Sequence, residues 1–144
     1  MTTKLVTFFL FIIATGLLIS CDFDQVENRY SDYESANKDE FFEKGWIPKQ
    51  IVYESMTDIY LKDNLDLNTF AFSYSVAKTD LNSIKIQLIS KQIDFKNPDR
   101  LSIPNWWTDK AKNMKFDLLK QNERTDSIFI AIDFQQNMIY GFSN

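Results

Sequence analysis

The sequence predicts an α+β domain in which two amino-terminal helices pack on an antiparallel β-meander of about five strands. Two kinds of pattern predict it. Helix-capping spacings recur at Ser31/Glu34 and Ser55/Asp58, where a small polar side chain can satisfy the free N–H groups of a first turn. From Phe70 onward apolar residues fall at every second position instead, the period of a strand with one buried face.

In order along the chain, the run from Ser31 through Phe41, Phe42 and Glu43 suits a helix that stops at Gly45, with Pro48 forbidding easy continuation. The second capping spacing makes Met56 to Leu61 a short helix. Asp63, Asn64, Leu65, Asp66, Leu67 and Asn68 then form a polar loop whose side chains can bond their own backbone. A calcium reading of that loop fails on the missing glycine and distal glutamate of an EF-hand. Phe70, Phe72, Tyr74 and Val76 make the first strand, and Ile84, Ile86 and Leu88 the second, paired with it as a hairpin. Residues 97–112 hold Pro98, Pro104, Trp106 and Trp107, which predicts an irregular crossing with one helical turn. Phe116 and Leu118 suggest a third strand. Ile128 to Phe134 and Met138 to Phe142 are the fourth and fifth, joined through Asn137, a residue that tolerates the left-handed conformation a short hairpin loop needs.

Ahead of this body stands an address. One positive charge precedes an almost unbroken apolar run from Leu5 to Ile19, and Leu18, Ile19, Ser20 and Cys21 close it. That is the layout of a secretory signal, and the run is too short to span a bilayer comfortably. The quartet resembles a bacterial lipoprotein signal, in which the cysteine receives lipid and becomes the new amino terminus. The expected division is therefore a signal over 1–20, a short tether over 21–28, and a single domain over 29–144. Several acyl chains on Cys21 would hold the domain on a membrane without crossing it. Asp22, straight after the cysteine, resembles a signal for inner-membrane retention.

Composition excludes more than it includes. Loss of the signal removes Lys4 and leaves 124 residues with 15 basic against 20 acidic side chains, a mildly acidic domain with no basic stripe, so nucleic acid is not an expected partner. There is no histidine, which removes Ser/His/Asp and Cys/His catalysis and the usual zinc ligand sets. The single cysteine is Cys21, which lipid would consume. Only three glycines are present, so no phosphate-cradling loop can be drawn. No cofactor is implied.

Asn28, Arg29 and Tyr30, then Tyr33 to Ala36, then Phe42 to Pro48, then Ser55, Asp58 and Ile59, and finally Leu65 to Asn68 with Phe72, resemble the YbbD-head domain of small bacterial lipoproteins. Residues 27–76 carry the likeness. It implies an exported lipoprotein of the cell envelope and supplies no activity.

Candidate binding residues are the three tryptophans. Trp46 beside Gly45 and Pro48 could serve as a platform, although an aromatic at such a turn is more often a core plug. Trp106 and Trp107 are adjacent in a proline-bearing loop and cannot easily both point inward, which leaves one free to stack on a sugar or seat a partner side chain. The plainer reading puts one in the core and the other over a sheet edge. Asp63 and Asp66 could form a general acid/base pair if one of them is buried. Two functions follow. The favoured one is a non-catalytic, membrane-anchored module that binds another envelope or exported protein, facing the periplasm or exterior. Its rival is a carboxylate-dependent binder or hydrolase of cell-wall glycan.

Overall fold

A computed structural model describes residues 25–95, 101, 103–120 and 127–143. The expected signal over 1–20, Cys21 and Pro98 lie outside the described residues. The first strand, β1 (Gln25–Asp32), and the helix α1 (Tyr33–Lys38) are followed by two 3-10 turns at Phe41–Lys44 and Lys49–Ile51. Then come β2 (Thr57–Asn64), β3 (Thr69–Ser75), the helix α2 (Lys78–Lys85) and β4 (Leu88–Asp94). The one-turn helix α3 (Asp109–Lys112), β5 (Lys115–Leu119), β6 (Ile128–Asp133) and β7 (Met138–Ser143) complete the order.

All seven strands belong to one antiparallel sheet, in the order β1-β2-β3-β7-β6-β5-β4. Two meanders, β1–β3 and β4–β7, meet at the β3/β7 seam. The molecule is therefore mostly β, and the expected α+β arrangement of two amino-terminal helices on a five-stranded meander is overturned.

The physical reasons are local. Asp32, not Ser31, caps α1: its carboxylate accepts the Ser35 N–H at 2.8 Å, so the residues before it are free to pair as β1. That strand takes in Gln25–Asn28, the stretch expected to be tether, through pairing with Leu61–Asn64. The helix lasts only six residues, Glu40 turns left-handed at φ 53°, and Gly45 at φ 77° ends the first 3-10 turn. A glycine suits that backbone because it has no Cβ to crowd the carbonyl.

The short helix expected over Met56 to Leu61 is the start of β2 instead. Ile59 and Leu61 face the core with Asp63, while Tyr60 and Lys62 face the other way, which is period 2. The Ser55 hydroxyl serves another helix start. It accepts the Ala77 N–H at 3.1 Å and donates to Asp80, pinning the beginning of α2.

The expected second strand straddles the end of that helix: Ile84 lies in its last turn, Ile86 caps it and Leu88 begins β4. Leu81 and Ile84, three apart, are fully buried on one face, and Ile86 is exposed, so the alternation Ile84, Ile86, Leu88 never forms a buried row. No β3/β4 hairpin exists; β3 pairs with β2 and β7. Strands β5, β6 and β7 stand where the pattern places them, and Asn137 is left-handed at φ 55°.

Two cores sandwich the sheet. The first face carries Ile59, Leu61, Phe70, Phe72, Tyr74, Ile128, Ile130 and Ile139, closed by α1, both 3-10 turns and α2. Leu61, Phe72, Gly141 and Ile130 form one of its rows across four strands. A Cβ on Gly141 would lie 2.2 Å from Phe72 Cζ, so the ring uses the space a side chain would fill. The second face carries Ala71, Phe116, Ala131, Tyr140 and Phe142 and is closed by the crossing that contains Leu101, Trp107 and α3.

Candidate functional site

On the second face, Arg29, Tyr60, Ser73, Tyr140 and Ala131 form a single cross-strand row from β1 to β6. The crossing lays its two adjacent tryptophans over this row. Its turn is set by the Trp107 N–H donating to the Pro104 carbonyl at 3.1 Å, and Thr108 then caps α3 through the Ala111 N–H at 3.2 Å.

Trp107 goes inward and is 1% exposed. Its ring meets Phe95, Phe116, Tyr140 and Phe142 at centroid distances of 4.7–6.4 Å. No ring face is left for a ligand. Trp106 lies over Tyr60 instead, with centroids 5.6 Å apart and planes 28° from parallel. It is half-buried, and its indole N–H is enclosed without an acceptor.

Tyr60 is also in contact with Arg29, whose guanidinium carbon is 5.4 Å from the ring centroid. Glu27 steadies that arrangement, accepting from Arg29 Nη2 at 3.2 Å and standing 3.5 Å from Lys62 Nζ. The outcome is an Arg29–Tyr60–Trp106 stack on a sheet edge, part apolar and part cationic. Arg, Tyr and Trp are the side chains most enriched where proteins bind one another, because each offers large contact area with a polar end.

Trp46 lies on the opposite face, half-buried and edge-on to Phe70 at 5.6 Å. The three tryptophans therefore do not converge. Trp106 is brought together with Tyr60 and Arg29, which composition alone did not single out. The available signal was positional: Arg29 and Tyr60 are the outward members of two alternating runs, and only their register joins them.

The two aspartates of the carboxylate hypothesis have different surroundings. Asp63 is 2% exposed on the first face, between Val26 and Phe70 of the neighbouring strands. Burial pushes its carboxyl above the usual range, partly offset by the Lys44 charge, and Oδ1 has no hydrogen-bond partner. Asp66 is exposed at the β2–β3 turn. Sequence reasoning found no sign of the burial of Asp63 because its cover comes from other strands and from the first 3-10 turn.

A buried aspartate that the sequence did not flag is Asp133, at the end of β6 on the second face. Its burial raises the carboxyl, but the Lys110 ammonium and the N–H groups of Gln135 at 3.0 Å and Gln136 at 3.3 Å outweigh that and hold it below the usual range. An open cleft of about 480 Å³ beside α1 is lined partly by Asp32, Glu34 and Glu54, and Asp32 is already engaged in the helix cap. Among the described residues no three His, Cys, Asp or Glu side chains are placed to share a metal ion, and no helix is long and apolar enough to cross a membrane.

Residues 24–75 match the family model of the YbbD head domain. The match spans β1, α1, both 3-10 turns, β2 and β3, and thus contains Arg29 and Tyr60 but not Trp106. No curated protein and no solved structure matches the chain.

Proposed function

We propose that this chain is a lipid-anchored, non-catalytic module of the bacterial cell envelope that captures another envelope or exported protein through the Arg29–Tyr60–Trp106 stack. The YbbD head domain match supports an envelope-associated protein. Anchoring through lipid on Cys21 is the reading of the signal that precedes the domain. The observation that carries the interaction role is the stack itself: Arg29 on the edge strand β1, Tyr60 opposite it on β2 and Trp106 from the crossing, with the Arg29 cation and the Trp106 ring both against Tyr60.

The test is co-purification from gently solubilised membranes with the full-length chain, Cys21 included. Trp106→Ala and Arg29→Ala should each release a stoichiometric partner while leaving the melting temperature within a few degrees. Trp107 is unsuitable as a probe of binding, since its removal opens the core. A partner retained by a folded Trp106→Ala chain would overturn the assignment.

The glycan reading retains one favourable observation, the elevated carboxyl of Asp63, which is the condition a general acid must meet. Its Oδ1 is enclosed, however, and Asp66 stands out in solvent. Incubating the purified chain with peptidoglycan fragments decides the matter. Products that disappear in Asp63→Asn would favour that reading over the interaction module.

A further inference from the structure

We infer that the β2–β3 turn is a second membrane contact, inserting Leu65 and Leu67 into the lipid headgroup region beside the anchor. The inference rests on the reading that Cys21 is acylated. Turns are normally built of Gly, Pro, Asn, Asp and Ser. This one presents Leu65 at 57% and Leu67 at 38% exposure, and Val26 next to them at 38%.

The leucines are not needed to build the turn. The Asn64 side-chain oxygen accepts the Leu67 N–H at 3.2 Å, and Asn68 supplies the left-handed residue at φ 53°. Polar residues shape it and apolar ones face out. Among the described residues seven large hydrophobic side chains are exposed, and three of them gather at this corner.

The position of the corner identifies what it meets. β1 pairs antiparallel with β2, Gln25 opposite Asn64 and Val26 opposite Asp63, so the chain enters the sheet at the end where the turn protrudes. Gln25 is four residues from Cys21, a reach of at most about 14 Å at full extension. A lipid-bearing Cys21 therefore keeps this corner of the sheet within about 14 Å of the bilayer surface, near enough for the protruding turn to meet the headgroup layer. The charge within the turn is Asp66, which anionic lipid would repel, so the contact is apolar and should persist in high salt.

The experiment uses the full chain purified from membranes and reconstituted in vesicles of phosphatidylethanolamine and phosphatidylglycerol. With Cys21 occupied by lipid, Asp66→Cys introduces a unique thiol for an environment-sensitive fluorophore. Gln136→Cys, in the exposed β6–β7 turn at the opposite end of the sheet, is the control. Lipid carrying a quencher near the headgroup should quench the label at 66 severalfold more than the label at 136, equally in low and high salt. Adding Leu65→Ser and Leu67→Ser to the Asp66→Cys chain should reduce quenching to the control level. Equal quenching at 66 and 136 in a chain whose mass confirms acylation would overturn the insertion alone. A mass showing unmodified Cys21 would overturn the anchor and the inference with it.

Discussion

The two faces of the sheet each bury an aspartate at the end of a strand, one residue or none before a hairpin turn, yet treat it in opposite ways. Asp63 on the first face is enclosed between apolar neighbours and its carboxyl is raised; Asp133 on the second is equally enclosed but meets an ammonium and two backbone N–H groups, and its carboxyl is lowered. Burial alone does not decide a buried charge. The number of donors aimed at it does.

Packing differs between the faces in the same spirit. The first is closed by several aliphatic and aromatic contacts from α1, α2 and two 3-10 turns, so no single side chain holds it. The second depends on Trp107, around which five other rings are arranged. A distributed closure should tolerate truncation better than a central plug, because neighbours can relax into a small gap.

The largest expected effect tests that contrast. Trp107→Ala should cost about 3–5 kcal/mol, lowering the melting temperature on the order of 10 °C or more, whereas Leu81→Ala under α2 should cost nearer about 2 kcal/mol. Equal losses in a denaturant titration would dissolve the distinction between the faces. Next in size is Gly141→Ala. Its new methyl meets the Phe72 ring within a fully buried row, and about 1–3 kcal/mol is expected from overpacking. A variant as stable as the parent would mean that the ring has room to turn aside.

Asp133→Ala should lose about 1–3 kcal/mol, since it deprives Lys110 of its partner and two turn N–H groups of their acceptor. The pH dependence follows from the sign. Asp133 titrates in the folded state below its ordinary value of 3.8, so its contribution is in place above that pH and is lost as pH falls through the folded pKa. The smallest effect should be a gain. Asp63 titrates above 3.8 when folded; the cost of burying its charge is present above the folded pKa and vanishes as pH falls through it. Asp63→Asn should therefore stabilise the domain at neutral pH by up to about 1 kcal/mol, and the advantage should disappear in acid. Melting curves across the acid range would place the two aspartates on opposite slopes, and parallel slopes would remove the comparison.

Strands β3, β5, β6 and β7 and the left-handed Asn137 were legible because each follows from neighbours in the chain: an alternation with one buried face, or a residue type that a backbone conformation demands. The absence of histidine, of a second cysteine and of a glycine-rich loop likewise limits the chemistry through composition alone, and the apolar run is written in the consecutive residues from Leu5 to Ile19. Only the tertiary structure decided the rest. β1 reads as tether and helix because an edge strand carries charges such as Glu27 and Arg29 on its solvent side, and Met56 to Leu61 reads as helix because a capping spacing also arises at a turn. Lys78 to Lys85 is too short for a period of 3.6 to be told from a period of 2. The burial of Asp63, the inward turn of Trp107 and the meeting of Arg29, Tyr60 and Trp106 depend on strand register and on which segment crosses which face. Those are long-range pairings, and no local pattern in a single chain specifies them.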